Sequence, residues 1–328
     1  MESMEVINKK NFNNKNILVT GGTGFVGSHL VEELVNLGAN VITTYEYTDP
    51  SSYFMTQGLD KKVVMEKVDV ADYEKVFDVV TKFEIDYIFH LAAQPIVGVA
   101  YSNPKKTLYT NILGTINILE STRLFSKVKA VVVASSDKAY GRLEKGNKVY
   151  FETDALRGDH PYDVSKSATD LISNMYYKTY GTPVIITRFG NIYGEGDLNF
   201  SRIVPGIMSH LVRKEVLELR SDGTMVRDYL YVKDVVTGYL MLALDVDKHK
   251  GEAFNFGSKD TLSVLDLIES IGKALKKKVK YRIVNSAKNE IPYQSLNYQK
   301  IKKAGWKQKG TVNNTAKKIY NWYSKIEK

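Results

Sequence analysis

Tyr162, Lys166 and Ser136 have side chains that together could take a proton from an alcohol. Tyr162 and Lys166 are four residues apart in PYDVSKS, so on a helix both side chains project from the same face. A phenol with a pKa of about 10 is a poor base at neutral pH, and an adjacent ammonium charge lowers that pKa. Tyr162 could then accept the hydroxyl proton, held in place by Ser136, while a hydride leaves the carbon for an oxidised, positively charged nicotinamide. The alternative is an ordinary surface pair of tyrosine and lysine.

The stretch ILVTGGTGFVGSHL, residues 17–30, predicts the element that would bind a dinucleotide. Apolar and β-branched residues predict a buried strand, and an amphipathic helix is predicted to run to about Leu37. Between them, Gly21 permits a tight turn, Gly24 lets the backbone approach a pyrophosphate and Gly27 lets the helix lie close to the strand. The first turn of the helix offers N–H groups and a partial positive charge to that phosphate. The predicted cofactor contacts here are Gly21, Thr23, Gly24, Phe25, Val26 and Gly27, and the alternative is a plain strand-to-helix turn.

The ends of further predicted strands would complete the cofactor site. Residues 40–45, NVITTY, predict a strand whose last residue, Tyr45, lies where an acidic residue commonly meets the ribose hydroxyls, with Glu46 next. The nearby sequence contains no arginine that could meet a 2′-phosphate, which favours NAD over NADP. Strands predicted over 63–70 and 86–93 lead to the remaining cofactor contacts, which are Asp69, Val70, Leu91, Ala92 and Ala93, together with Tyr162 and Lys166.

Strands and helices alternate along the first part of the chain, which predicts an α/β fold with a doubly wound parallel sheet. Residues 129–136, KAVVVASS, are a continuous β-branched run, as expected for a parallel strand buried on both faces. Long helices are predicted over 103–125 and 161–180, and a strand over 183–188. From Gly190 the pattern becomes rich in glycine and loops. We predict a nucleotide-binding domain of residues 13–189 plus 225–257 and a smaller α/β substrate domain of residues 190–224 plus 258–328.

Composition excludes several classes of protein. The chain has 328 residues, 43% of them hydrophobic, and no cysteine, which excludes disulfides and cysteine-ligated metals. The net charge of +9 comes largely from lysines near the carboxyl end, without a recognised nucleic-acid module, so a solvated surface is predicted. The polar start and the lack of a long apolar run predict a cytoplasmic protein without a membrane partner. The five histidines show no ligand spacing, and no metal is predicted.

Six motifs taken together resemble the extended short-chain dehydrogenase/reductase family, the nucleotide-sugar epimerases and dehydratases. They are GGTGFVG, HLAAQ, SSDKAYG, YDVSK, RFGNIYG and RDYLYVKDV, and the resemblance extends from about Asn16 to the region of Trp306. It implies a Rossmann domain that binds NAD or NADP and a smaller carboxyl-terminal domain that holds a nucleoside-diphosphate sugar. It also implies a homodimer formed through the helices predicted over 103–125 and 161–180.

Asp137 and Lys138, directly after Ser136, bear on the type of reaction. A 4,6-dehydratase needs one group to accept the C5 proton and another to protonate the leaving C6 oxygen. By similarity to those enzymes, Asp137 would be the acid and Lys138 the base, provided that the lysine is neutral. The alternatives are a UDP-sugar 4-epimerase, in which the two residues form an ion pair, and a dinucleotide-binding sensor without turnover.

Several stretches are most similar to the CDP-glucose 4,6-dehydratases, among them residues 90–120 and the segment from Ser295. The stretch around Arg227 resembles the broader family, so the nucleotide base stays open. In that family Arg227 would meet the diphosphate, although it could instead pair with Asp228 or Asp234. The predicted substrate ligands are Gln94, Asn191, Arg202 and Arg227, and for Asn191 and Arg202 a role in stabilising their loops is the alternative.

Overall fold

The computed structural model of the protein describes residues 7–142, 149–286 and 291–327, so the first six residues of the polar start lie outside it. In the described residues the strands are β1 (Asn16–Thr20), β2 (Asn40–Tyr45), β3 (Val64–Lys67), β4 (Tyr87–His90), β5 (Ala130–Ala134), β6 (Val184–Phe189), β7 (Asn191–Tyr193), β8 (Leu217–Leu219), β9 (Val226–Tyr231), β10 (Ala253–Phe256), β11 (Thr261–Ser263), β12 (Tyr281–Ile283) and β13 (Tyr293–Gln294). The α-helices are α1 (Lys9–Phe12), α2 (Phe25–Asn36), α3 (Tyr53–Thr56), α4 (Tyr73–Lys82), α5 (Val97–Ser102), α6 (Pro104–Leu108), α7 (Gly114–Leu124), α8 (Pro161–Tyr180), α9 (Ile203–Arg213), α10 (Val232–Leu244), α11 (Val246–His249), α12 (Val264–Leu275), α13 (Gln299–Lys303) and α14 (Val312–Ile326). Short 3₁₀ turns cover Leu59–Lys61 and Asp137–Tyr140, and a π turn covers Tyr109–Leu113.

The main sheet confirms the predicted doubly wound parallel fold. Its strand order is β10-β6-β5-β4-β1-β2-β3, and every neighbouring pair is parallel. The central strand β5 is buried on both faces, with Val131, Val132 and Val133 fully inaccessible to solvent. Burying a valine contributes about 1.5–3 kcal/mol, which explains why a β-branched run occupies this strand. Because the strands are parallel, the carboxyl ends of β1, β2, β4 and β5 meet at one edge of the sheet.

A second core lies outside the main sheet. Strands β7, β9, β11 and β13 form a small mixed sheet, and β8 pairs with β12. Helices α9, α12 and α14 contribute residues such as Ile207, Leu267 and Ile319 to its core. Strand β9, which the predicted division assigns to the first domain, pairs within this small sheet, whereas the following α10 packs against α2 and β5. Residues 225–257 are thus shared between the two cores, and the domain boundaries remain a prediction.

The predicted helix over 103–125 forms a continuous helical run from Pro104 to Leu124 that contains one π turn. Helix α6 ends at Leu108, a π turn follows, and α7 begins at Gly114. Gly114 lies so close to Val70 that a Cβ atom would come within 2.6 Å of the valine Cγ2. The π turn directs the buried Asn111 towards the loop after β4. The predicted long helical segment is therefore confirmed, with a π turn inside it that the sequence analysis did not predict.

Candidate active site

The glycine turn after β1 has the shape needed to hold a pyrophosphate. Gly21 has φ +69°, and a Cβ there would lie 2.9 Å from Cα of Ala92. A Cβ on Gly27 would lie 2.2 Å from the Gly21 carbonyl oxygen, so only glycine allows α2 to start this close to β1. Helix α2 begins at Phe25 with Gly24 as its N-cap, which leaves the first-turn N–H groups, including that of Val26, without an intrahelical acceptor. Thr23 lies within this turn, and the set of residues fits a dinucleotide.

The adenosine side of the predicted cofactor site is formed by loops after β2 and β3. Tyr45 is the last residue of β2, and Asp69 and Val70 follow the end of β3. The Nζ atom of Lys106 lies 2.7 Å from Oε1 of Glu46 and 3.4 Å from Oδ2 of Asp69. Lys106 was missed in the sequence because sixty positions separate it from Glu46. Its charge meets the two carboxylates beside the predicted ribose position.

The loop after β4 passes close to the glycine turn. The backbone N–H of Leu91 donates to the Thr20 carbonyl at 3.2 Å, and that of Ala92 donates to Thr20 Oγ1 at 3.2 Å. Ala93 follows, and then Gln94, whose Nε2 donates to Ile96 O and to Thr107 Oγ1 and whose Oε1 accepts from Ile96 N. The Gln94 side chain therefore holds its own loop in this structure, and its role as a substrate ligand remains a prediction.

Asn111 and His90 were not predicted as site residues, yet they fix this loop. Asn111 Oδ1 accepts from the N–H of Gln94 at 2.8 Å, and its Nδ2 donates to Ser165 Oγ at 2.8 Å on the helix that carries Tyr162. His90 is the last residue of β4 and lies next to the loop. Burial lowers the pKa of His90 to about 3.

Ser136, Asp137 and Lys138 lie together on the 3₁₀ turn that follows β5. Ser136 Oγ donates to Oδ1 of Asp137 at 3.0 Å and accepts from the backbone N–H of Lys138 at 3.2 Å. Lys138 Nζ donates to Oε1 of Gln294 at 2.6 Å. The alternative in which Asp137 and Lys138 pair with one another does not describe this arrangement, because their side chains bond to different partners. Burial raises the pKa of the Asp137 carboxyl, and the charge of Lys138 is the main factor that opposes this rise.

Tyr162 and Lys166 project from the first turns of α8 towards this turn. The Ser136 side chain lies near the Tyr162 phenol and favours its ionised form. Lys166 Nζ donates to the carbonyl of Ala134 at 2.7 Å and lies 6.0 Å from the centre of the Tyr162 ring. Ser136, Tyr162 and Lys166 are therefore brought together by the fold, although 26 positions separate the first two.

The expectation that Lys166 lowers the pKa of Tyr162 was wrong for this structure. Loss of water around the phenol raises the pKa of Tyr162 to about 12, a rise that the nearby Ser136 side chain and the charge of Arg202 only partly offset. Burial also lowers the pKa of Lys166 to about 8, opposed by Asp170. Burial disfavours the charged form of each side chain more strongly than the opposite charge of the other, several ångströms away, would favour it.

The predicted substrate residues Asn191, Arg202 and Arg227 come from three different elements of the second core. Asn191 is exposed on β7, and Arg227 lies on β9 with its Nη1 donating to Val226 O at 2.8 Å. Arg202 caps α9, and its Nη1 lies 3.1 Å from Oδ2 of the buried Asp197. The charge of Arg202 lowers the pKa of Tyr162 and that of Arg227 lowers the pKa of Asp137, so both arginines lie near these two side chains. Their roles as substrate ligands remain predictions.

Asp228 and Asp234, the alternative partners of Arg227, bond to other groups. Asp228 accepts hydrogen bonds from Thr261 Oγ1, Ser295 Oγ and the N–H of Leu296, at 2.7, 3.0 and 2.8 Å. Asp234 accepts from the N–H groups of Lys309 and Gly310 at 3.0 and 2.7 Å. These two carboxylates therefore bind the carboxyl-terminal segment to β9 and α10.

A family match now adds to this geometry. The NAD dependent epimerase/dehydratase family matches residues 17–257 of the chain. The chain belongs to this family. Its cofactor is NAD, and the glycine turn, the uncapped start of α2 and the loop of Leu91, Ala92 and Ala93 are the elements that would hold it. The resemblance to nucleotide-sugar epimerases and dehydratases is thereby confirmed.

Relatives of this NAD-dependent family member include enzymes of both reaction types. CDP-glucose 4,6-dehydratase of Salmonella typhimurium is 30% identical over 78% of this chain and 74% of its own length. A trifunctional UDP-glucose 4,6-dehydratase, 3,5-epimerase and reductase of Arabidopsis thaliana is 30% identical over 94% of this chain but 47% of its own length, so the chain spans about half of that relative. The crystal structure of UDP-glucose 4-epimerase from Thermotoga maritima with UDP-glucose has a TM-score of 0.84 at 28% identity, covering 95% of this chain and all of that one.

Two further observations bear on the classes that composition excludes. Among the helices of the described ranges, none combines the length and the hydropathy needed to cross a lipid bilayer. Within the same ranges, no three histidine, aspartate or glutamate side chains are grouped as a metal ion would require.

Proposed function

We propose that the chain is an NAD-dependent nucleotide-sugar 4,6-dehydratase that acts on a CDP-glucose-like substrate and makes a 4-keto-6-deoxy sugar nucleotide. One observation carries this proposal: a buried carboxyl, Asp137, and a lysine, Lys138, lie directly beside the serine that is near the Tyr162 phenol. Oxidation of an alcohol needs only Ser136, Tyr162 and Lys166. An additional acid and base at this position suit a reaction that also eliminates water.

The residues would act in order on one sugar. Tyr162 accepts the proton of the C4 hydroxyl, which Ser136 holds. NAD, when bound, would accept the hydride from C4 and later return it to C6. Once C4 is a ketone, the C5 proton is acidic, so Lys138 removes it while Asp137 gives a proton to the C6 oxygen, which leaves as water. Lys138 then gives its proton back to C5 as the hydride returns to C6, which completes the 4-keto-6-deoxy sugar.

The environment of Asp137 favours the acid role. Only 6% of this residue is exposed, and burial raises the pKa of its carboxyl. A raised pKa keeps more of the carboxyl protonated at a given pH, and only the protonated form can donate to a leaving oxygen. Arg227 and Arg202 are suited to the negative charge of a nucleoside diphosphate, with Asn191 and Gln94 as further candidate ligands.

The second candidate is a UDP-sugar 4-epimerase. Its support is the likeness to the Thermotoga maritima enzyme over that whole chain. An epimerase would use the same Ser136, Tyr162 and Lys166, and the acid and base would then have no proton to transfer.

Product mass distinguishes the two candidates. The purified protein is incubated with NAD and, separately, with CDP-, UDP-, GDP- and dTDP-hexoses. A product lighter by one water supports the dehydratase and identifies the nucleotide. A product of unchanged mass and altered stereochemistry would refute the dehydratase and support the epimerase.

The variant Asp137→Asn tests the residue on which the proposal depends. Because the amide cannot donate the required proton, water elimination should slow by about 10²–10⁴-fold. Oxidation at C4 should continue, so reduced nicotinamide should accumulate and can be followed by its absorbance. Asp159→Asn is the matched control, because it makes the same chemical change at an exposed residue just before α8. Full elimination by Asp137→Asn would contradict the proposed role.

A further inference from the structure

Gln294 connects the small sheet to the 3₁₀ turn that carries Asp137 and Lys138. It is the last residue of β13, lies in register with Arg227 of β9, and is only 1% exposed. Its Oε1 accepts the 2.6 Å hydrogen bond from Nζ of Lys138, across 156 positions of sequence. The end of the Lys138 side chain is therefore fixed by a residue of the second core.

An amide is a suitable partner for a lysine that must lose its proton. The amide oxygen accepts an N–H from the ammonium form and from the neutral amine alike, so it does not require the charged form. A carboxylate at the same position would favour the ammonium form by its opposite charge. Gln294 can thus hold Nζ in place while the lysine changes its protonation state.

The same hydrogen bond gives the neutral amine a direction. A neutral lysine has two N–H bonds and one lone pair on Nζ, and a free side chain would rotate them among several orientations. When one N–H donates to Oε1 of Gln294, rotation about the Cε–Nζ bond is restricted. The lone pair that takes up a proton then has a defined orientation relative to Ser136 and Asp137.

The other half of the Gln294 amide argues against a purely structural role. Within residues 7–142, 149–286 and 291–327, its buried Nε2 has no hydrogen-bond partner. A buried donor without an acceptor destabilises the fold, and an apolar side chain of similar size would avoid that cost. The bond to Lys138 gives a reason for a polar side chain at this position.

We propose that Gln294 is a positioning residue that orients Lys138 for removal of the C5 proton, an inference that rests on the proposed dehydratase function. The group that removes the proton is Lys138, and Gln294 acts only through it.

Two variants of Gln294 separate orientation from charge. Gln294→Glu keeps the length of the side chain and adds a carboxylate, whereas Gln294→Asn keeps the amide and withdraws it by one methylene. Gln299→Glu is the matched control, because it makes the same chemical change at an exposed residue of α13. For each protein, water elimination is measured as a function of pH, C4 oxidation is measured in a single turnover, and folding is checked by thermal melting.

We expect different effects from the two variants. Gln294→Glu should raise the pH at which elimination reaches half its maximum by about one unit or more, because the carboxylate stabilises the ammonium form. Gln294→Asn should slow elimination by about 10–100-fold without moving that pH, because Nζ is misplaced. Both variants should leave C4 oxidation within about twofold of the unsubstituted protein, since Tyr162 does not depend on Lys138. Gln299→Glu should change none of these quantities.

The outcomes separate this inference from the function on which it rests. If the unsubstituted protein eliminates water and the Gln294 variants keep its rate and pH dependence, the inference is overturned and the dehydratase stands. If folded Gln294 variants lose oxidation and elimination equally, Gln294 has only a structural role and the inference is likewise overturned. If the unsubstituted protein forms only an epimer, the proposed function fails and this inference fails with it. Should Gln294→Glu not fold, the rate and the pH profile of Gln294→Asn decide.

Discussion

Acidification should destabilise the protein through the buried His90. Its Nδ1 lies 2.8 Å from Thr20 Oγ1 and its Nε2 lies 3.3 Å from Thr115 Oγ1, with 3% of the residue exposed. Burial, and to a smaller degree the charge of Lys166, lower the pKa of His90 from 6.5 to about 3. As the pH falls below 6.5, the unfolded chain binds a proton that the folded chain refuses. The contribution of neutral His90 to the free energy of unfolding is therefore complete above pH 6.5 and is lost as the pH falls towards 3.

The size of the effect follows from the pKa difference. Between about pH 7 and pH 5, the single histidine should lower the free energy of unfolding by about 2 kcal/mol. Burial likewise lowers the pKa of His29 to about 4. The two histidines together should therefore lower the free energy of unfolding by about 4 kcal/mol over the same pH range. Urea unfolding followed by tryptophan fluorescence at several pH values measures this free energy.

The variant His90→Gln tests the assignment. Glutamine does not titrate and can still bond to a threonine hydroxyl, so the loss of stability on acidification should be smaller by about 2 kcal/mol in this variant. His160→Gln, at a ring that is 36% exposed, is the matched control and should keep the pH dependence of the unsubstituted protein. An unchanged pH dependence in His90→Gln would refute the argument that this buried imidazole stays neutral.

Three other predictions concern the cofactor, the chemistry and the assembly. Tyr162→Phe should lower C4 oxidation by about 10²–10⁴-fold, measured as reduced nicotinamide in a single turnover, and near-normal oxidation would remove Tyr162 from the proposed mechanism. Tyr45→Asp should tighten NAD binding in calorimetry, because an acidic residue at the end of β2 can accept hydrogen bonds from the ribose, and an unchanged affinity would contradict the predicted position of Tyr45. The predicted dimer should dissociate in sedimentation experiments when Leu171 of α8, which is 61% exposed, is changed to Lys, whereas a persisting dimer would contradict assembly through this helix.

The residues of the candidate chemistry could be identified from the sequence because each belongs to a local pattern. The glycines stand between a strand and a helix, and the four-residue spacing of Tyr162 and Lys166 follows from helical geometry. The alternation of buried strands and amphipathic helices was sufficient for the doubly wound sheet, since parallel strands buried on both faces need β-branched runs. These features depend on backbone geometry within a few residues.

The tertiary structure decided which groups surround those residues and how strongly each is shielded from water. Lys138 meets Gln294 across 156 positions, and Lys106 meets Glu46 across 60, so neither contact leaves a signal in the local sequence. The pKa of Tyr162 rises although a lysine is its helical neighbour, because the burial of a phenolate depends on every element packed around it. Periodicity and spacing report the chemistry of neighbours along the chain, whereas desolvation and long-range contacts exist only once the two cores have come together.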